Sequence, residues 1–207
     1  MLPDQLTNDL NTALNEATVV GVDLDPAAAT ARLLLHVLAL PERGPIDPDP
    51  RRALTLTGVS DFQVLLRKDP FGGDFGPAIP IQDLDELASL FGRLDRFQPM
   101  YGWRFLNNLD LTGDWPPEPS FNLRLRPEPA AHTLYWFTEC SQEADSFFCL
   151  EGVIRFDGLQ VELADRIPVS VQQFAADGRR WWTSLYANDP RVSSEAQIVA
   201  GNGPRWR

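Results

Sequence analysis

FFCLEGVIRFDGLQVEL, residues Phe147 to Leu163, decides how the rest of the chain is read. Asp157-Gly158 supplies two residues that tolerate positive φ, and apolar residues flank it on both sides, which is the strongest short-range hairpin signal a sequence offers. A two-residue hairpin is expected, with Phe156 opposite Leu159 and Ile154 opposite Val161. Ile154, Phe156, Leu159, Val161 and Leu163 then share a core face, while Arg155, Gln160 and Glu162 fall on the wet one. Burying five such side chains contributes roughly 10 kcal/mol as an upper bound, yet an isolated hairpin is marginal in water, so a larger sheet must hold it.

The neighbouring run YWFTEC is expected to pair with FFCLEGV across the loop 141–146, which sets Cys140 opposite Phe147 and Cys149 opposite Thr138. These are the chain's two cysteines. That register keeps the sulfurs apart, so two buried free thiols are expected rather than a disulfide or a metal pair.

Further upstream, Pro3 to Glu16 reads as an amphipathic helix with Leu6, Leu10 and Leu14 at helical spacing. TVVGVDLD (Thr18 to Asp25) and TARLLLHVLAL (Thr30 to Leu40) read as strands, the second apolar on both faces and therefore central. After the proline-broken loop 41–50 come ALTLTGV and DFQVLLRK, two more strands, and then a Gly/Pro loop at 69–78. Asp83 and Glu86 form a capping-box pattern ahead of the stripe Leu84, Leu87, Leu90, Phe91 and Leu94. The last helix carries the same signature at Ser170 and Gln173, with Phe174, Gly178, Trp181 or Trp182, and Leu185 as its apolar stripe. Gly178 costs about 1 kcal/mol relative to Ala inside a helix, so a break there is the alternative.

Leu56-Thr57-Gly58-Val59 resembles Leu150-Glu151-Gly152-Val153, and each is followed downstream by an Ile-Pro-apolar lead into a helix. The fold class expected is α+β, mainly antiparallel sheet with three covering helices and an internal pseudo-duplication. The copies would be residues 1–98 and 99–190, followed by a loose tail at 191–207.

The chain has 207 residues, 43% of them hydrophobic and 23% charged, the profile of a globular protein rather than a disordered one. Its net charge of −11 argues against a nucleic-acid partner, because phosphate binding draws on clustered Lys and Arg, and suits a basic protein partner instead. Lys68 is the sole lysine against seventeen arginines, a bias that fits a GC-rich bacterial source. The N-terminal residues show no signal peptide and no run is apolar enough to span a bilayer, so a cytoplasmic location without membrane association is expected.

VVGVDLDP ends a strand in Asp23-x-Asp25, and this octapeptide resembles the first motif of the haloacid dehalogenase-like phosphatases and the Asp-x-Asp of some glycosyltransferases. The resemblance implies a metal-dependent hydrolase or transferase centred on Asp23 and Asp25. Pro26-Ala27-Ala28 follows where those phosphatases carry a Gly-Thr-like turn, which favours a strand end with solvated carboxylates. His36 and His132, the two histidines, lie in no metal-ligand spacing, and neither a metal nor a cofactor is expected.

What remains is a run of arginine and aromatics on the last helix. Arg179, Trp182 and Tyr186 lie at i, i+3 and i+7 and share one face, which is the expected binding surface. Trp181 and Leu185 would occupy the neighbouring face, directed at the sheet. The function expected is a non-enzymatic acidic binding module; a small toxin-neutralising protein is one instance of that profile, although no motif here identifies one.

Overall fold

The computed structural model describes residues 2–68, 76–93, 96–97, 104–107, 117–143 and 146–192. The expected class is what is found: two antiparallel sheets with three helices. Helix α1 (Asp4–Ala13) precedes β1 (Thr18–Asp25), β2 (Thr30–His36), β3 (Arg51–Thr57) and β4 (Asp61–Lys68). Helix α2 (Leu84–Arg93) is followed by β5 (Arg96–Phe97), β6 (Arg104–Asn107), β7 (Phe121–Arg124), β8 (His132–Glu143) and β9 (Ser146–Phe156). The described chain closes with β10 (Gly158–Leu163), β11 (Pro168–Val169), α3 (Val171–Tyr186) and a 3-10 turn at Pro190–Val192. The first sheet runs β1-β2-β3-β10-β11, and the second runs β5-β8-β9-β4-β7 with β6 also paired to β8.

The hairpin expected at Asp157-Gly158 does not form. Strand β9 belongs to the second sheet and β10 to the first, so Phe156 pairs with His132 and Leu159 with Leu56 rather than with each other. Strands β3 and β4 make the same passage in the opposite direction through Gly58, Val59 and Ser60. Two long bent strands, 51–68 and 146–163, thus pair with each other through both sheets and turn one corner together.

Between the pairs Thr57↔Gly158 and Asp61↔Arg155, residues 58–60 stand against 156–157, one extra residue on the first strand. That bulge explains the side-chain pattern. Inward residues keep even numbers from Leu54 and Leu56 through Phe62 and Val64, whereas on the partner they change from Ile154 and Phe156 to Val161. The alternation read from the sequence is therefore right, although it serves two sheets rather than one hairpin.

Hydrogen bonds close the corner. Asp157 donates its amide to the Thr57 carbonyl at 2.9 Å, and Ser60 donates its own to the Arg155 carbonyl at 2.9 Å. The Ser60 carbonyl accepts from the Leu125 amide at 2.8 Å, and its hydroxyl accepts from the Ala130 amide at 3.2 Å while donating to Asp61 Oδ2 at 2.7 Å. The Asp157 carboxylate accepts from the Ala131 amide at 2.9 Å and from the Arg126 guanidinium. Those donors hold the Asp157 carboxyl below the usual carboxylate range, with the Ala131 bond the largest cause. Left-handed backbone is needed at Gly58, where φ is +62°, and not at Gly158. At Gly158 the constraint is space, since a Cβ there would lie 2.5 Å from the Thr57 hydroxyl and would oblige it to move.

One core joins both sheets and all three helices, with Leu33, Leu54, Phe62, Trp136, Ile154 and Phe156 at its centre. Gly152 lies beneath the Trp136 ring, where a Cβ would sit 1.9 Å from a ring carbon, so the indole fills the place of a side chain opposite it. Leu10 and Ala13 of α1 are buried, and Pro3 stands at that helix's N-cap. Helix α2 has its capping bond, the Glu86 amide to Asp83 Oδ1 at 2.8 Å, while the Glu86 side chain reaches the Gln82 amide at 2.7 Å. No helix among the described residues is long and apolar enough to cross a membrane.

Strand β2 is shorter than expected. It stops at His36, and Leu40 leaves the sheet to join α3, so the apolar run Thr30 to Leu40 serves two clusters rather than both faces of one strand. Each sheet also draws on both proposed copies, with β10 and β11 completing the sheet begun by β1, β2 and β3. Gly58 and Gly152, which anchored the match between the copies, stand respectively at the corner and in mid-strand. The boundary at residue 98 lies outside the described residues, as does the tail beyond Val192.

Gly58→Ala is expected to cost about 1 to 2 kcal/mol, the penalty of a left-handed L-residue, measured by urea unfolding; unchanged stability would contradict the corner geometry. Asp157→Asn should also flatten the acid limb. A depressed carboxylate pKa contributes stability that is complete above the unfolded value near 3.8 and lost as the pH falls through the folded one, so the wild type should lose more between pH 5 and 3 than the variant does.

Candidate functional site

Helix α3 begins at Ser170, whose hydroxyl accepts from the Gln173 amide at 3.0 Å. The Gln173 side chain does not complete the box; it donates to Asp177 Oδ1 at 2.7 Å, one turn on. No break occurs at Gly178. A Cβ there would lie 2.4 Å from Ala13, so glycine is what allows α1 and α3 to approach, and that contact outweighs its low helix propensity.

Arg179 is turned toward α1, donating to both Asp9 oxygens at 3.2 Å, with its side chain more than half exposed. Tyr186 is 78% exposed. The ring of Trp182 lies 6.2 Å from that of Tyr186 and tilted by 34°, so the structure brings these two of the three expected residues together. It does not leave Trp182 on an exposed rim. Trp181 is 3% exposed and Trp182 is 8% exposed. Their rings meet edge to face at 4.8 Å.

The reason is a covering that helical periodicity does not show. Segment 37–50 crosses α3, and Leu40 packs with both tryptophans and with Val192 of the 3-10 turn, supported by Leu38, Ile46 and Leu185. Leu40 is also tied by its backbone, donating to the Asp177 carbonyl at 3.1 Å and accepting from Arg180 Nη1 at 2.8 Å. The Trp182 indole N–H is buried with no hydrogen-bond partner among the described residues.

Asp23 and Asp25 are exposed near the tip of the β1–β2 hairpin. Asp25 Oδ1 accepts from the Ala28 amide at 3.0 Å, an Asx-type closure of the turn, and Asp23 stands across from Arg32. No group of three or more His, Cys, Asp and Glu residues suited to a metal ion occurs among the described residues. Both carboxylates thus stand exposed at the end of β1.

The cysteine register is displaced by one residue from that expected. Cys140 pairs with Phe148 and Cys149 with Glu139, because β8 continues to Glu143 and an irregularity lies between Ser141 and Glu143. Cys149 is fully buried. Both histidines lie below their ordinary pKa through burial, and His36 is lowered further by Arg51.

One polar cluster went unread in the sequence. Glu151, 7% exposed in mid-β9, takes Arg67 of β4 on Oε1 and the Tyr135 hydroxyl of β8 on Oε2 at 3.0 Å, with the Cys149 thiol 3.8 Å from Oε1. A carboxylate inside the apolar run FFCLEGVI was the available signal, since a charge there must find a partner across the sheet. Its oxygens are engaged by three neighbours, an arrangement suited to fixing strand register across β4, β9 and β8.

No family model, curated protein or solved structure matches this chain.

With both tryptophans in one cluster, Trp181→Ala and Trp182→Ala should each lose about 3 to 5 kcal/mol by denaturant unfolding. Trp182→Phe should lose distinctly less than Trp181→Phe, since it also removes a buried donor lacking a partner; equal losses would contradict that geometry.

Proposed function

We propose that the protein is a non-enzymatic binding module whose contact with a basic protein partner centres on Tyr186, backed by Trp182 and flanked by Arg179. The observation that carries this reading is the 78% exposure of Tyr186, a large aromatic held outward from a helix whose other aromatic residues are buried. Tyrosine, tryptophan and arginine are the residue types that dominate binding hot spots. The net charge of −11 supports a basic partner through long-range attraction. Trp182 acts in this reading as the support that sets the Tyr186 ring angle. The Arg179–Asp9 pair keeps the guanidinium near the same helix face at modest energetic cost, because exposed ion pairs are weak.

A photo-crosslinking residue placed at position 186, compared with the same residue at exposed position 23, tests this in source cells. One basic protein should be captured from position 186 and not from position 23. With that protein purified, Tyr186→Ala should weaken binding by roughly 2 kcal/mol, about thirtyfold in Kd, at unchanged melting temperature. Equal capture from both positions, or an affinity unaffected by Tyr186→Ala, would reject the reading.

A further inference from the structure

Helix α3 presents a long stripe to solvent. Gln172, Arg179, Thr183 and Tyr186 are exposed and Ala176 is half-buried. Their spacing of four, three, four and three residues keeps all five within roughly 80° of the helix circumference, and it is the spacing by which two helices pack side by side over several turns. The stripe is also where the chain opposes its own copy least. With a net charge of −11, two molecules repel at long range. No exposed residue of α3 is acidic: its one carboxylate, Asp177, is paired with Arg180 at 2.6 Å, and Arg179 is held by Asp9 of α1. One aspartate and two arginines give α3 a formal charge of +1. Tyr186 stands 78% exposed at one end of the helix, and Ile167, 53% exposed, precedes the N-cap Ser170 at the other.

We propose that this stripe is a homodimer interface: two copies pack α3 antiparallel against α3 about a two-fold axis near Arg179, and each Tyr186 covers the Gln172 end of the other. A two-fold contact must be self-complementary, residue i meeting j while j meets i. Antiparallel packing satisfies this and sets opposite helix-dipole ends side by side, where a parallel pair would align like ends. At the axis two Arg179–Asp9 pairs adjoin, each neutral by itself, so no bare charge is buried. One helix face on another falls at the low end of interface area, which makes the dimer weak and concentration-dependent. Self-association would compete with the partner proposed above for Tyr186, yet the dimer forms or fails in purified protein without it.

Sedimentation equilibrium over a dilution series reaching millimolar protein tests this. A monomer–dimer equilibrium is expected for the wild type. Tyr186→Glu should weaken it about tenfold or more, at unchanged melting temperature because Tyr186 is exposed in the monomer. Adding Gln172→Arg to Tyr186→Glu should restore most of that loss, since positions 172 and 186 lie at opposite ends of one helix and can pair only between antiparallel copies. The same positive charge at exposed Gln160 of β10, as Gln160→Arg, should not. A wild type that stays monomeric throughout, a dimer indifferent to Tyr186→Glu, or rescue no better from position 172 than from position 160 would overturn the dimer. Should Tyr186→Glu not fold, dilution of the wild type decides: amide shift changes must concentrate at residues 172, 176, 179, 183 and 186, and changes centred elsewhere would refute the interface. A monomeric wild type would leave the capture from position 186 unaffected, so the two readings fail separately.

Discussion

The fold depends on one shared corner, where strands 51–68 and 146–163 pass together from one sheet into the other. A continuous pair of bent strands commits both sheets to a common core, because neither can move without unpairing the other. The extra residue among 58–60 keeps apolar side chains inward on each side of the bend. Fully buried Ser60 then satisfies its own amide, carbonyl and hydroxyl with groups from β9, from the segment after β7 and from Asp61. A buried backbone bend without such partners would lose several hydrogen bonds. Asp157 completes the corner by holding Ala131 and Arg126, which gives the architecture a dependence on an ionised carboxylate.

Around that frame, close approaches are made by small residues and fixed by polar ones. Gly178 against Ala13 joins α3 to α1, and Gly152 beneath Trp136 lets the indole lie across β9. On the opposite face of the second sheet, Glu151 ties β9 to β4 and β8 through Arg67 and Tyr135. A buried ion pair of this kind adds little net stability, but removing one partner is costly, so it selects one register over slipped alternatives. Segment 37–50 supplies the last closure, packing Leu40 against Trp181 and Trp182 to form a second small core beside α3.

Local chemistry was legible in the sequence, while long-range partnership was not. The caps at Asp83 and Ser170 were visible because they depend on neighbours three residues away. The alternation Ile154, Phe156, Val161 was visible for the same reason, yet an Asp-Gly between apolar runs reads alike whether the chain reverses or bends through a corner. Only Thr57 and Asp61, which come from a distant segment to lie opposite Gly158 and Arg155, distinguish the two. Trp182 was misplaced because its cover comes from Leu40, about 140 residues away, and helical spacing cannot report a cover from outside the helix. Of the three residues expected to share an exposed face of α3, Tyr186 is the one that stands fully outward.

Cross-strand NOEs through the corner test the account most directly. Contacts between Leu56 and Leu159 and between Phe62 and Ile154 are predicted, because those residues pair in the first and second sheets respectively. A direct backbone contact between Ile154 and Val161, with Phe156 across from Leu159, would show a local hairpin and contradict the shared corner on which the structure rests.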